Sequence, residues 1–493
     1  MYSIGYDIGS SSVKATILNI DTGKIVASDF YPKEEMQINS PHPGFAEQDP
    51  ETWWKYTKQL TRQLIFDSSL DGIEIKAIGI SYQMHGLVTV DKEQHIIRPS
   101  IIWCDSRAVE IGENAFQTLG NKFCLGHLLN SPGNFTASKL RWIKENEPDN
   151  YERIYKIMLP GDFIAMKLTG EINSTISGLS EGIFWDFSRN AISEEILEHY
   201  CIDPSLLPSI NPTFSIQAKI LKHVADELGI SPDAVVSYRA GDQPNNAFSL
   251  NVLNVGDIAA TAGTSGVVYG VIDKVNYDTY SRVNQFAHVN HTLTDTRLGV
   301  LLCINGTGIQ NSWMRKIAGV DLSYEEINRK AAEVPIGSEG ITVLPFGNGA
   351  ERVLKNKNIG SQILGVDFNR HTDAHLFRAS QEGIVFSFKF GIDIMKEMGL
   401  EINVIRAGKA NMFLSPIFRQ TLSNVTGATI ELYDTDGAQG AARGAAFGAG
   451  YYKSFDEAFF SLNKVDEIYP NKNEIEETTE AYTIWRDKLG MFL

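Results

Sequence analysis

Cysteine is scarce in this chain of 493 residues: the four present, Cys104, Cys124, Cys201 and Cys303, stand far apart and form no Cys-x-x-Cys. That spacing argues against a zinc site or a disulfide framework and suits a reducing compartment. No apolar run approaches the roughly 18 residues that a membrane span needs, and the chain opens on a strand-like segment rather than a basic-then-apolar leader, so the expected location is the cytoplasm, with no membrane partner. Positive charge is also short. Lysine and arginine total 44 against 60 aspartates and glutamates, a net charge of -16, which excludes nucleic acid or an anionic surface as the main partner while leaving room for a local phosphate pocket. Low-complexity tracts are missing too. What remains, 43% hydrophobic and 21% charged, is an ordinary globular composition, long enough for two to four domains.

Against that background one pattern recurs. Ile4-Gly5-Tyr6-Asp7-Ile8-Gly9-Ser10-Ser11-Ser12-Val13 and Ile258-Ala259-Ala260-Thr261-Ala262-Gly263-Thr264-Ser265-Gly266-Val267 are each an apolar run, a Gly-hydroxyl-hydroxyl turn and a second apolar run. Each reads as strand, tight turn, strand. A glycine there admits a ligand close to the backbone, and the amides and hydroxyls after it can donate to phosphate oxygens. Only the first copy has a carboxylate, Asp7, where the second has Thr261. One wall is thus equipped for a hard cation and the other for phosphate alone.

Coarse periodicity fits an α/β protein built twice. Strand signal dominates to about residue 98, interrupted by a helix that Asp49-Pro50-Glu51 caps ahead of Trp53. Helical periodicity from Ala108 to Leu228 predicts an insertion that shapes a substrate cleft. Strand signal returns at Ala234 to Tyr238, ending in Gly241-Asp242, and the second half alternates strands and helices. A boundary falls near residues 245–255. Gly440, Gly444 and Gly448 recur every four residues in an Ala-rich run and predict a smooth helix face for close packing.

Asp7-Ile8-Gly9-Ser10-Ser11-Ser12-Val13-Lys14, Glu47-Gln48-Asp49-Pro50 before Trp53-Trp54, Gln83-Met84-His85-Gly86, Trp103-Cys104-Asp105, Gly241-Asp242 and Ala262-Gly263-Thr264-Ser265-Gly266 follow one another in order. In this set the chain resembles the FGGY carbohydrate kinases, and most closely their pentulose-phosphorylating members. The resemblance implies two actin-like, RNase H-type α/β domains of the hexokinase/actin/Hsp70 superfamily with a cleft between them. Residues 1–248 would mainly bind sugar and residues 249–493 mainly nucleotide. It also implies ATP and Mg2+, a small-molecule sugar as the other partner, and conversion of D-xylulose to D-xylulose 5-phosphate. A homodimer is left open.

The resemblance carries roles onto individual residues. Asp242 is the expected catalytic base and touches the sugar, although Gly241-Asp242 by residue type alone reads as readily as a turn. Asp7 is the metal-side carboxylate. Met84, His85 and Asp105 face the sugar, Asp105 alternatively capping the next helix. Ser10, Ser11, Ser12, Gly263, Thr264 and Ser265 contact phosphates, and Gly306, Gln310, Gly408 and Asn411 hold the rest of the nucleotide. Two departures stand out. Arg406-Ala407-Gly408-Lys409 replaces a glycine-rich turn, so that Arg406 or Lys409 either narrows the base pocket or touches the nucleotide; and Gln243 follows the base, as in glycerol kinases. The alternatives are a kinase for ribulose, glycerol or gluconate, or a sugar- and nucleotide-binding regulator without catalysis.

Overall fold

A computed structural model describes all residues, 1–493. The first half builds a six-stranded sheet from β1 (Tyr2–Ile8), β2 (Val13–Asn19), β3 (Ile25–Tyr31), β4 (Ile75–Tyr82), β5 (Phe214–Lys219) and β6 (Val235–Gly241), in the spatial order β5-β6-β4-β1-β2-β3. The second builds a seven-stranded sheet from β7 (Ile258–Ala262), β8 (Gly266–Ile272), β9 (Asn284–Ala287), β10 (Leu298–Ile304), β11 (Val404–Gly408), β12 (Thr429–Tyr433) and β13 (Lys464–Ile468), in the order β9-β10-β8-β7-β11-β12-β13. Strands β3-β2-β1-β4-β6 superpose in neighbour order and direction on β10-β8-β7-β11-β12: antiparallel through the hairpins, then parallel. The repeat seen in the sequence is therefore a repeat of a whole sheet.

Central strands are buried on both faces, which is why β4 and β8 read as nearly continuous apolar runs. Helix α1 (Pro50–Ser68) starts as its sequence dictates, Asp49 accepting from the Glu51 amide at 3.0 Å with Pro50 in the first turn, and it buries Trp53, Leu60 and Leu64. The helical reading of residues 108–228 is corrected by several short strands, such as Lys156–Met158 and Asn173–Ser174, and by one longer one. The longer one is β5, an outer strand of the sheet whose residues are mostly half-exposed and polar, so that neither alternation nor a long apolar run marks it.

Two further helices join the halves. Helix α2 (Asp242–Ser249) leaves the end of β6 and touches β7 and β8 of the other sheet. Helix α6 (Gly437–Gly448), preceded in the second half by α3 (Gly308–Ala318), α4 (Asp373–Glu397) and α5 (Pro416–Thr426), leaves the end of β12 and lies across β1, β2, β4 and β6 of the first sheet. Its glycines face that sheet: a Cβ on Gly444 would stand 2.6 Å from the Tyr238 ring and one on Gly448 1.9 Å from the Ser237 carbonyl oxygen. The predicted smooth face is thus an interface between the halves. One apolar core accordingly joins Leu18, Tyr238 and Phe248 to Ala441 and Ala445, while another runs from Phe135 and Phe184 of the insertion into Phe286 and Val268. No helix is long and apolar enough to cross a membrane.

Candidate active site

The first turn is fixed by its neighbours. In the β1–β2 register Asp7 stands opposite Lys14, and its Oδ1 accepts from the Ser81 hydroxyl at 2.9 Å. The Gly9 amide closes the turn on the Ser12 carbonyl at 3.0 Å, and the carbonyls of Ser10 and Ser11 accept from Gln48 Nε2 and the Met36 amide. The Ser10 hydroxyl accepts from the Trp103 indole at 3.3 Å, and Ser11 is exposed. From the other side comes the start of α6, where a Cβ on Gly437 would lie 2.6 Å from Asp7 Oδ2. Burial raises the Asp7 pKa and the charge of Asp436 adds to it, while Lys14 and the Ser81 hydrogen bond oppose the rise.

Asp242 opens α2 directly after the buried end of β6. Burial first, and then the negative charge of Asp7, push its carboxyl up to about 7, against hydrogen bonds from Gln243. The glycine before it is required by contact. A Cβ on Gly241 would meet Glu181 Oε2 and Met84 Cγ, each at 2.6 Å, so Met84 and the strand end carrying Asp242 approach as closely as two chains can. His85 follows in the left-handed region, φ 61°, where a side chain is strained unless held. It is held twice: Lys139 Nζ donates to the His85 carbonyl at 2.8 Å, and Nδ1 lies 3.0 Å from the Glu181 carbonyl oxygen. A carbonyl only accepts, so Nδ1 carries the proton and Nε2 is left as an acceptor for a hydroxyl. Burial, with Lys139 adding to it, lowers the His85 pKa to about 3, so the ring is neutral. Its faces meet Phe135 of the insertion and Phe286 of the second half, at 4.7 and 5.2 Å between centroids.

Asp105 does not join this group. It is wholly buried, and its oxygens accept from the Ala46 amide at 2.6 Å, the Arg107 amide at 2.9 Å and the Arg107 guanidinium at 2.7–3.0 Å. A carboxylate offers about four lone-pair directions, and these partners occupy them. Asp105 therefore fastens the loop that presents Trp103, its oxygens already engaged by Ala46 and Arg107.

The second turn borders a cavity of about 480 Å³ lined by Gly263, Thr264, Gly308, Ser312 and Asn411, among others, a volume in the range of small-ligand sites. The start of α3 docks on the turn, the amides of Gly308 and Ile309 donating to the carbonyls of Gly263 and Thr264 at 2.8 and 3.1 Å. Asn411 comes from after β11, its Nδ2 3.7 Å from where a Gly263 Cβ would be. Ser265 lies beside Cys303 and not in this cavity.

Gly306 and Gln310 line a neighbouring cavity of about 350 Å³, with Trp313, Pro345 and Ser361, and Ile309 lines both this cavity and the one beside Gly263. The residues that accompany Gly263 and Asn411 are Gly308 and Ser312, two positions further on. Both pairs have the same four-residue spacing, and helix α3 starts at Gly308, the first residue of the second pair. Gly408 ends β11 outside the cavity lining. Arg406 is bound to Glu431 at 3.1 Å and Asp257 at 3.6 Å, Lys409 is exposed, and neither lines the cavity. Lys139, Glu181 and Asp436 were not singled out from sequence, because a lysine and two acids in helical or turn contexts read as solvated surface.

No three or more acidic, histidine or cysteine side chains gather into a protein cage for a metal. A single partly buried carboxylate, Asp7, with a second acid close by fits a magnesium ion bound mainly by phosphate and water.

The model of the FGGY family of carbohydrate kinases, N-terminal domain, matches residues 2–249, and that of the C-terminal domain matches residues 258–452. A xylulose kinase from Staphylococcus xylosus is 29% identical, with 98% of this chain and 97% of that protein covered. Among solved structures, a xylulose kinase from Rhodospirillum rubrum aligns with a TM-score of 0.90 at 23% identity, covering 100% of this chain and 99% of the other. A gluconate kinase from Lactobacillus acidophilus aligns with a TM-score of 0.90 at 21% identity, covering 99% and 98%.

Proposed function

From the premise that the chain belongs to the FGGY family of carbohydrate kinases, and so transfers phosphate to an alcohol of a sugar, we propose that it converts D-xylulose and ATP to D-xylulose 5-phosphate and ADP, with Asp242 as general base. One observation carries the reading: a half-buried carboxyl pushed up to about 7, set between the phosphate-side Asp7 and the sugar-side Met84 and His85. The xylulose kinase relatives, similar over nearly the whole chain, support the sugar.

The sugar lies against Met84 and the neutral His85, whose Nε2 accepts one of its hydroxyls. Gly263 and Thr264, with Gly308, Ser312 and Asn411 behind them, hold the nucleotide. Asp7 is the side chain that would hold, through water, a magnesium ion accompanying ATP, and such an ion would neutralise phosphate charge. The reacting hydroxyl donates to Asp242. Its oxygen bonds to the γ-phosphorus as the bond from that phosphorus to the β,γ-bridging oxygen breaks; ADP leaves with the electron pair and Asp242 takes the proton. Little covalent work is asked of the protein, so positioning and charge neutralisation dominate.

The test is ADP release, coupled to an indicator enzyme, over D-xylulose, D-ribulose, glycerol and gluconate. D-xylulose is expected to saturate at the lowest concentration. Gln243 directly after the base favours a different polyol as the second reading, and a lower KM for glycerol or gluconate would establish it. No ADP release with any sugar would leave a binding protein.

A further inference from the structure

Glu181 is a buried carboxyl that the reaction scheme does not use. It ends the short helix Ile176–Glu181, is 1% exposed, and its Oε1 has no hydrogen-bond partner. Its Oε2 packs on Gly241, the residue before the base, alongside the Met84 side chain. Its own carbonyl oxygen accepts from the His85 ring, and the Tyr82 hydroxyl at the end of β4 stands against its carboxyl. The two sugar-side residues and the base-bearing strand end thus meet on one side chain.

The same helix is fastened to the other half of the molecule. The Ser177 hydroxyl donates to the Ala287 carbonyl at 2.9 Å, and the Ala287 amide donates to the Ser180 hydroxyl at 3.0 Å, so serine side chains take the backbone groups of edge strand β9. Nearby, Asn130 of the insertion makes the equivalent two bonds to the Gln285 backbone, at 2.5 and 3.0 Å. Strand β9 also carries Phe286, which packs on His85.

We propose that Glu181 is a positioning residue for phosphoryl transfer: lodged against Gly241 and Met84, it sets the base and the sugar loop in register with edge strand β9 of the second half. The inference rests on the function proposed above. Burial, then the charges of Asp242 and Asp162, push Glu181 well above the usual carboxylate range, and Lys139 and Tyr269 also lie within its field. Pushed toward its neutral form, the Glu181 carboxyl fills the space against Gly241 with less negative charge beside Asp242 than an ionised one would add.

Steady-state kinetics of Glu181→Ala, Glu181→Gln and the double variant Ser177→Ala/Ser180→Ala test this, with thermal melting in parallel. Glu181→Ala is expected to lower kcat/KM for the sugar about 100-fold and Glu181→Gln, which keeps the shape and a donor, less than about tenfold, with KM for ATP unchanged in both. In Glu181→Ala the acid limb of the pH profile should move to lower pH, because water admitted beside Asp242 eases its ionisation. The serine pair should raise KM for the sugar several-fold with the acid limb in place. Equal defects in the alanine and glutamine variants, or an unmoved acid limb with only the melting temperature lowered, would overturn the proposal. A wild-type protein inactive on every sugar would instead sink the functional reading, so the two failures are distinguishable.

Discussion

The two hairpins share a backbone and differ in what meets their turns. The Gly9 turn is approached by α6, a helix contributed by the opposite half, and pairs Asp7 with Lys14. The Gly263 turn is approached by α3 from its own half and pairs Thr261 with Val267. The strand ends repeat the lesson. Strands β6 and β12 hold the same place in their sheets, and each leads into a helix that crosses to the partner half, one opening on Asp242 and the other capped by Asp436. Yet Asp242 follows Gly241, which packs against Met84 and Glu181, whereas Asp436 accepts from the Gln439 amide as an ordinary helix cap. Duplication supplied the frame, and the chemistry sits where the copies stopped being equivalent.

The largest expected effect breaks that equivalence directly. Asp242→Asn should lower kcat by about 10³-fold or more, since general bases contribute on the order of 10²–10⁴, with sugar and ATP binding retained in calorimetry. Asp436→Asn should keep most of the turnover. In the wild type, kcat/KM should rise about tenfold per pH unit below 7 and level off above it, because only the ionised carboxylate accepts the proton. The same shift acts on stability with opposite sense. Between the ordinary aspartate range and about 7 the unfolded chain gives up this proton while the folded chain keeps it, so the contribution falls as pH rises and its full cost is present above 7. Asp242→Asn should therefore melt higher than wild type at pH 8 and not at pH 4.

Next in size is the contrast between the turns. Asp7→Asn should lower kcat about 100-fold and raise the magnesium concentration needed for half-maximal rate, as expected when a water-mediated carboxylate is lost. Thr261→Val, at the equivalent position of the other copy, should change KM for ATP by less than about threefold, the worth of one weak hydrogen bond.

Much of this frame was legible before the structure. The repeated Gly-hydroxyl turns announced two like sheets, Asp49-Pro50-Glu51 announced α1, and the glycines at 440, 444 and 448 announced a close-packed helix face. Sequence could not say that this face belongs to the other half's sheet, because intimacy of packing carries no address. Nor did it reveal that Asp105 is consumed by Arg107, since an aspartate before an arginine looks the same exposed or paired. The edge strand β5 escaped because only Gln217 of its six residues is buried, so neither face carries an apolar alternation. At α3 two pairs with one spacing, Gly306 with Gln310 and Gly308 with Ser312, line adjoining cavities, and spacing alone does not choose between them.

That last point gives the smallest effect and the sharpest discrimination. Ser312 lines the cavity beside Gly263, whereas Gln310 lines the adjoining cavity of about 350 Å³ and accepts from the Ser361 hydroxyl at 3.3 Å. Ser312→Ala should raise KM for ATP about three- to tenfold, the range of one hydrogen bond to a phosphate or ribose oxygen, with kcat and KM for the sugar unchanged. Gln310→Ala should leave KM for ATP alone and lower the melting temperature little, because the Ser361 hydroxyl keeps its donation to the Leu344 carbonyl at 3.0 Å. The reverse pattern would put the nucleotide in the 350 Å³ cavity lined by Gly306 and Gln310.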